Sequence, residues 1–412
     1  MYDVHTESGF MPPEVPIGRL PLQWEPWETL LDAANAARLQ LGDKSGITEK
    51  EKTASESWRE CVRRTPLLSI TELQSSLTLL RRAHLVLTYI MHFYIHSLPE
   101  DSPVIIPRPL ALPVLRVSAS LAVPPLLTFA DTVLYNWMYR YTSTSLPTIE
   151  NIRMKTMFSS LIDEEEFYLC SARIELRGVD ALKLMRVTME EISVGNQTAV
   201  HRITGYLISM AKIIKELEAL LMDVRKECRP EVYYNEVRPW LRGEDSATNV
   251  RKWVFEGIED DTSLKAPLEL SGPSAGQSSL IHALDIFLGI DHQSSSPGER
   301  SFMARMQAYM PQDHRFFLDH LASNPRPLRA FVMASGDDYL YKAYNSAVLA
   351  LKEFRDAHMI IATLYILGPA RRAAMLAETN QRDKQPLLGT GGTDLIKFLK
   401  DTRARTSATM IS

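Results

Sequence analysis

Apolar residues recur at three- and four-residue intervals along most of this chain, which is the period of an α-helix with one buried face. The segment 198–226 is the clearest case, and its apolar stripe contains Ile203, Leu207, Met210, Ile213, Ile214, Leu217 and Leu221. Alternation of apolar and polar residues, which is typical of a half-buried strand, is almost absent. The pattern therefore predicts an all-α protein, with at most a small hairpin near residues 150–160.

Capping residues and prolines indicate where the predicted helices begin and end. The first helix covers residues 24–41, and the second runs to Arg64 and stops at Pro66. A third helix is predicted over 69–97, because Ser69 and Glu72 have the spacing of a capping box. Helical spacing returns at 163–193, 198–226, 233–241, 274–288, from 302 onward with interruptions at prolines, at 337–367 and at 393–403.

The polar, turn-prone sequence at residues 139–147 (YRYTSTSLP) interrupts the helical pattern. A chain of 412 residues is also too long for one ordinary hydrophobic core. We therefore predict a small N-terminal helical domain over 1–140, a linker over 141–148 and a large helical domain over 149–412.

Composition and charge narrow the class of protein. The chain is 45% hydrophobic and 23% charged with a net charge of −4, which is ordinary for a globular protein and gives no basic face for nucleic acid. The longest apolar run is shorter than the ~20 residues of a membrane-spanning helix, and no signal peptide is evident. Three widely spaced cysteines disfavour a disulfide framework. We expect a cytoplasmic protein that binds neither nucleic acid nor membrane.

Two motifs are weak signals for chemistry. His92 and His96 have metal-ligand spacing, but no glutamate between them completes a zinc-protease motif, so a domain contact or a solvated helix face is the better interpretation. The Gly-Thr-Gly-Gly-Thr sequence at 389–393 follows no strand and is followed by no lysine, which disfavours a nucleotide loop. We interpret 380–393 as a mobile lid that leads into a helix capped by Thr393.

His358 is the most informative histidine, because it lies within the predicted helix 337–367 on an apolar stripe with Phe354 and Ile361. We expect Gly368 to end that helix. A neutral imidazole on such a face can bind haem iron through one ring nitrogen. On the residues alone, however, a hydrogen-bonded core histidine is the more common case.

Several short segments follow one another in a specific order. They are FYLCS at 167–171, YYNEVRPWL at 233–241, GPSAGQSS at 272–279, AYMP at 308–311, SNP at 323–325, SGD at 335–337, the His358 helix and GTGGTD at 389–394. This ordered set, over about residues 105–405, resembles the indoleamine 2,3-dioxygenase family. The resemblance implies a large helical domain that holds haem b. It also implies insertion of O2 into the indole ring of L-tryptophan to give N-formylkynurenine, the first step of the kynurenine pathway and of NAD biosynthesis.

The resemblance also assigns residues to the haem. His358 matches the proximal iron ligand, Arg355 matches an arginine of the polar network on that side, and Asp285 matches the carboxylate partner of that arginine. The segment along the haem edge is matched by Ser274, Ala275 and Gly276. Gly276, which has no side chain, would let the backbone approach something flat or bulky.

For the substrate, the resemblance implies that Phe167 lies over the iron, Tyr233 packs on the indole and Arg238 holds the carboxylate. The whole implied set is Phe129, Phe167, Ser171, Tyr233, Tyr234, Arg238, Ser274 and Thr390. Mammalian members have Phe-Phe where this chain has Tyr233 and Tyr234, and a hydroxyl added to a dry pocket needs a partner. No side chain is implied as a catalytic acid or base.

The partners that the resemblance implies are L-tryptophan, O2 and an electron donor that keeps the haem ferrous, with the protein acting as a monomer. Three other interpretations stay open: an O2-binding haem protein without catalysis, a relative with low affinity for tryptophan that acts on another indole, and a haem-free interaction module. Arg238 argues against the first, because a gas carrier has no use for a carboxylate clamp.

Overall fold

The computed structural model describes residues 2–141, 146–246, 251–292, 300–376, 389 and 394–411. Helices dominate these ranges, and the strands found there form only two-stranded pairs. The predicted all-α class is therefore confirmed.

In chain order the α-helices are α1 (Glu25–Ala37), α2 (Glu49–Arg64), α3 (Leu77–His96), α4 (Arg108–Leu121), α5 (Ile162–Arg177), α6 (Val179–Val194), α7 (Gln197–Asp223), α8 (Pro230–Val232), α9 (Ser279–Leu288), α10 (Phe302–Gln307), α11 (Gln312–Ala322), α12 (Leu328–Ser335), α13 (Asp338–Ala362), α14 (Gly368–Leu376) and α15 (Leu395–Ala408). The longest connections between the α-helices lie between α4 and α5 and between α8 and α9. Three π-helical segments lie at Ala130–Leu134, Tyr233–Val237 and Thr363–Leu367.

The strands form two separate pairs. β1 (Val104–Ile106) runs parallel to β4 (Trp253–Phe255), and β2 (Trp137–Tyr139) runs antiparallel to β3 (Ile152–Met154). The hairpin predicted near 150–160 therefore has only its second strand in that region, and its first strand precedes the predicted linker. The division into domains at 141–148 stays a prediction.

Helix α3 begins later than its sequence predicted. Ser76 caps it by accepting a hydrogen bond from the backbone N–H of Leu79, at 3.3 Å. The Ser69 hydroxyl instead accepts a bond from the backbone N–H of Thr71, so it closes a local turn that competes with helix formation. The capping box predicted at Ser69 is wrong for this reason.

Gly178 divides the predicted helix 163–193 into α5 and α6. A Cβ atom at this position would lie 2.2 Å from a methyl carbon of Leu280 on α9, so only glycine allows the helices to approach this closely. Periodicity along the chain carries no information about a neighbour that is a hundred residues away.

Helix α13 packs mainly against α7, and all of the apolar stripe predicted on α7 except Leu221 is buried. The sequence predicts that Gly368 ends helix α13. That prediction is wrong, because the π-helical segment Thr363–Leu367 and then α14 continue the helical chain through Gly368. Pro369 lies in the first turn of α14, where its missing N–H is tolerated.

His92 and His96 bind backbone carbonyls rather than a metal. Nδ1 of His92 lies 2.7 Å from the oxygen of Trp240, and Nε2 of His96 lies 3.0 Å from that of Arg242. These bonds join distant parts of the chain, which agrees with the domain contact predicted for the two histidines. The other interpretation, a solvated helix face, is excluded because His92 is fully buried. No described helix is both long and apolar enough to cross a membrane.

Candidate functional site

Two cavities meet at His358 inside the helical body. Together with the open solvent at their mouths they contain about 1140 Å³ and about 780 Å³ of space that no protein atom fills, and concave sites of this kind bind small molecules or cofactors. Both are lined by Phe129, Ser171, Leu221, Ala275, Gly276, His358 and Phe398. These shared walls make one continuous and largely apolar space.

The His358 side chain presents its imidazole to both cavities. Neither ring nitrogen has a hydrogen-bond partner within the described part of the chain. Burial, assisted by the positive charge of Arg355, lowers the pKa of His358 to about 4. The ring is therefore neutral at pH 7, and a nitrogen lone pair can serve as a ligand to a metal.

Arg355 lies one helical turn before His358 and lines the smaller cavity. Its Nη2 donates to both carboxylate oxygens of Asp285, at 2.5 and 2.7 Å, and its Nη1 donates to the Thr406 hydroxyl. Burial raises the pKa of Asp285, but the charge of Arg355 and the bond to His292 outweigh it and hold this pKa below its ordinary value. The predicted Arg355–Asp285 pair is thus present, with Arg355 at the cavity and Asp285 behind it.

Helix α5 presents Phe167, Ser171 and Glu175 at four-residue spacing, so all three share one face. Phe167 lines the larger cavity, Glu175 the smaller one and Ser171 both. The sequence did not single out Glu175, although its spacing from Ser171 was available as a signal.

Glu175 is a buried carboxyl group with one unused oxygen. It is 2% exposed, the Ser278 hydroxyl donates to its Oε1 at 2.6 Å, and its Oε2 has no partner among the described residues. Burial raises the pKa of Glu175 to about 7, and the Ser278 bond opposes this rise. The carboxyl group is therefore neutral in mildly acidic solution.

The segment Ser274–Gly276 lines both cavities at Ala275 and Gly276, and Ser274 lines the larger one. A Cβ atom on Gly276 would lie 2.9 Å from a ring carbon of Phe302 on α10. Within the protein, the bulky group that packs closely against Gly276 is therefore the Phe302 ring.

The predicted substrate residues of the 233–238 segment are only partly brought together. Tyr233 lines the larger cavity, with its ring centroid 4.3 Å from that of Phe167. Tyr234 and Arg238 are not among the lining side chains that the structure describes. Arg238 is buried beside the Tyr234 ring, with its guanidinium carbon 5.7 Å from the ring centroid.

The proposed lid over 380–393 lies outside the described residues, Thr390 included, except for Gly389, which lines the larger cavity. Helix α15 begins after Asp394, whose side chain accepts from the backbone N–H of Lys397, so the predicted cap at Thr393 is corrected. Phe398 of α15 reaches both cavities, a contribution that the sequence did not predict.

Known proteins resemble the whole chain. The family model described as indoleamine 2,3-dioxygenase matches residues 1–409. Indoleamine 2,3-dioxygenase 2 of Mus musculus is 32% identical over 100% of this chain and 95% of its own length. Indoleamine 2,3-dioxygenase nanC of Aspergillus nanangensis is 31% identical over 98% and 94%. The 6-hydroxytryptophan 2,3-dioxygenase fscD of Fusarium equiseti is 30% identical over 98% and 95%.

Proposed function

This chain belongs to the indoleamine 2,3-dioxygenase family, and from that premise we propose that it is a haem-dependent enzyme that converts L-tryptophan and O2 to N-formylkynurenine. This reaction would be the first step of a kynurenine pathway. One observation carries the proposal: the neutral imidazole of His358, without a protein partner among the described residues, lies where two apolar cavities meet.

The residues of the site fit haem b. His358 offers an imidazole nitrogen as the iron ligand, the apolar walls suit a porphyrin, and Arg355 offers a cation for a propionate. Asp285 would hold Arg355 in this position. When bound, haem supplies the iron chemistry that activates O2.

The protein's own contribution is orientation and the exclusion of water. The rings of Phe167 and Tyr233, which pack on each other at 4.3 Å between centroids, would form one aromatic wall against the indole ring, and Arg238 would hold the substrate carboxylate with its planar set of donors. Holding the reactants in one geometry lowers the entropic part of the barrier. None of these side chains is required as an acid or a base.

A ring-substituted tryptophan is the second candidate substrate. One relative is a 6-hydroxytryptophan 2,3-dioxygenase, and the hydroxyl-bearing residues Thr132 and Ser171 line the larger cavity of this chain. A hydroxyl on the indole ring could pair with either one. An electron donor, a monomeric state and a cytoplasmic location complete the proposal, as the sequence predicted.

The test uses purified, reduced protein mixed with L-tryptophan and air, followed by detection of N-formylkynurenine. We expect the His358→Ala variant to lose both the Soret absorption band and turnover, because no other described side chain of the cavity offers a nitrogen ligand at that point. The matched control is His201→Ala, since His201 is an exposed histidine on α7. A His358→Ala protein with a normal Soret band would contradict the ligand assignment, and a haem-free wild type would favour an interaction module.

A further inference from the structure

Tyr233 brings a phenol hydroxyl to the wall of the larger cavity, where no described residue accepts a hydrogen bond from it. The residue is 4% exposed, and its hydroxyl makes no hydrogen bond with any described residue. The other lining tyrosines use theirs: Tyr365 donates to the carbonyl oxygen of Cys228 at 2.5 Å, and Tyr168 donates to Glu164 at 3.0 Å. A hydroxyl at the wall of a largely apolar cavity can donate a hydrogen bond to a polar group of a bound ligand.

The π-helical segment Tyr233–Val237 determines what lies beside this hydroxyl. Its defining bond runs from the backbone N–H of Arg238 to the carbonyl oxygen of Tyr233, five residues earlier. In an α-helix, side chains five residues apart point in different directions, whereas the wider π-turn brings them close to alignment. Pro239, which has no N–H, cannot complete the α-helical pattern here, and this favours the wider turn.

Electrostatics agree with this arrangement. Burial raises the pKa of Tyr233, and the positive charge of Arg238 acts in the opposite direction. Burial likewise lowers the pKa of Arg238, while Tyr233 opposes that change. The phenol and the guanidinium are therefore close enough to influence one another, and the phenol keeps its proton at neutral pH.

We propose that the Tyr233 hydroxyl donates a hydrogen bond to the carboxylate of the bound amino acid beside Arg238, so that the pair selects amino acids over the corresponding amines. This inference rests on the proposed function, in which Arg238 holds that carboxylate. The guanidinium supplies charge, and the hydroxyl supplies a directed donor that an amine cannot use. Sites built to bind a polar substrate group reject analogues that lack it.

The test compares Tyr233→Phe with the wild-type holoprotein on L-tryptophan and on tryptamine, which has the same ring and amine but no carboxylate. Michaelis constants come from turnover, and dissociation constants come from calorimetry, which needs no turnover. We expect both constants for L-tryptophan to rise about tenfold, as for one lost bond to a charged group. The kcat for L-tryptophan and both constants for tryptamine stay within about twofold.

The matched control is Tyr206→Phe, which removes one hydroxyl from a half-buried position on α7 outside the cavity walls. It should leave all constants unchanged. The inference is overturned if Tyr233→Phe binds L-tryptophan with unaltered affinity. It is also overturned if the variant loses as much affinity for tryptamine as for L-tryptophan, because the hydroxyl would then contact a part that both ligands share. Wild type that binds neither compound overturns it as well.

These failures are distinguishable from failure of the proposed function. Wild type that binds L-tryptophan but forms no N-formylkynurenine overturns the function, while the calorimetric comparison still decides the role of the hydroxyl. If the wild type turns over normally and the Tyr233→Phe variant binds L-tryptophan with unchanged affinity, only this inference is overturned.

Discussion

Burial moves the titration of two cavity residues in opposite directions, because a low-polarity environment disfavours whichever form is charged. It lowers the pKa of His358 to about 4 and raises that of Glu175 to about 7. In mildly acidic solution both side chains are neutral, which suits an apolar cofactor space. Among the described residues that line the smaller cavity, Arg355 carries a positive charge, and the carboxylate of Asp285 lies behind it.

Replacement of Arg238 by alanine should leave the haem in place and raise the Michaelis constant for L-tryptophan at least tenfold. The physical reason is that a charge-assisted bidentate contact contributes on the order of 2 kcal/mol or more. The Soret band and steady-state kinetics measure the two effects separately. An unchanged Michaelis constant would remove the carboxylate role from this residue.

Glu175 should make the stability of the protein fall as the pH rises from about 4.5 to about 7. Over this window the unfolded chain releases the proton while the folded protein still holds it, so folding binds more protons and stability decreases with pH. Its contribution is fully favourable below pH 4.5 and is lost as the pH passes 7.

The Glu175→Gln variant should therefore gain stability relative to wild type between pH 5 and pH 8, by on the order of 2 kcal/mol. Thermal melts across this range measure the difference. The exposed Glu150→Gln is the matched control and should follow wild type. Parallel Tm curves for Glu175→Gln and wild type would show that this carboxyl titrates normally.

At the scale of whole elements, the site is built where helices change geometry. Two π-helical segments, Tyr233–Val237 and Thr363–Leu367, each precede a proline by two residues, and both contribute lining side chains. The missing N–H of Pro239 and Pro369 breaks the regular hydrogen-bond ladder at these points. The third, Ala130–Leu134, follows Phe129 and supplies Thr132 and Val133 to the larger cavity.

Gly178→Ala tests the close approach of α5 and α6 to α9. The new methyl would meet the fully buried Leu280, so we expect a loss of about 1–3 kcal/mol from overpacking. Gly205→Ala is the control, because a Cβ at this exposed helical position on α7 meets nothing within 4 Å. It should stabilise the protein by about 0.5–1 kcal/mol. Equal melting temperatures for the two variants would contradict the packing argument.

At the scale of the molecule, an aromatic cluster joins the N-terminal helices to the later part of the chain. The Phe158 ring is stacked on that of Trp240 at 5.5 Å between centroids, and Phe93 of α3 contacts both. His92 adds its hydrogen bond to the carbonyl of Trp240. The two proposed domains therefore share a buried and mainly apolar contact.

We expect both proposed domains to unfold together, because the buried apolar contact of Phe93, Phe158 and Trp240 couples their stabilities. Thermal unfolding followed by tryptophan fluorescence and by far-ultraviolet circular dichroism should give midpoints within about 2 °C of each other. Two separate transitions would show that the domains are independent. The Trp240→Phe variant, which keeps an aromatic ring in the cluster, should preserve the coincidence.

Sequence patterns predicted most of those features of the fold that depend on local interactions. The apolar stripe of α7, the end of α2 at Arg64 and the helical position of His358 follow from side-chain spacing and from the prolines within a few residues. The sequence patterns did not predict where α3 starts, because a local turn at Ser69 competes with the helix there. They also did not predict the break at Gly178, which depends on the close approach of Leu280. For the site, the resemblance placed Phe167 and Ser171 in one substrate pocket, and both line the larger cavity.

The sequence by itself determined the helical class, the family and an imidazole on an apolar stripe, since these depend on the order and period of residues along the chain. Only the tertiary structure decided that Glu175 and Phe398 reach the cavities, and that Arg238 is buried outside the described walls. The physical reason is that periodicity records which face of a helix is buried. Which distant element covers that face depends on packing between segments that are far apart in sequence.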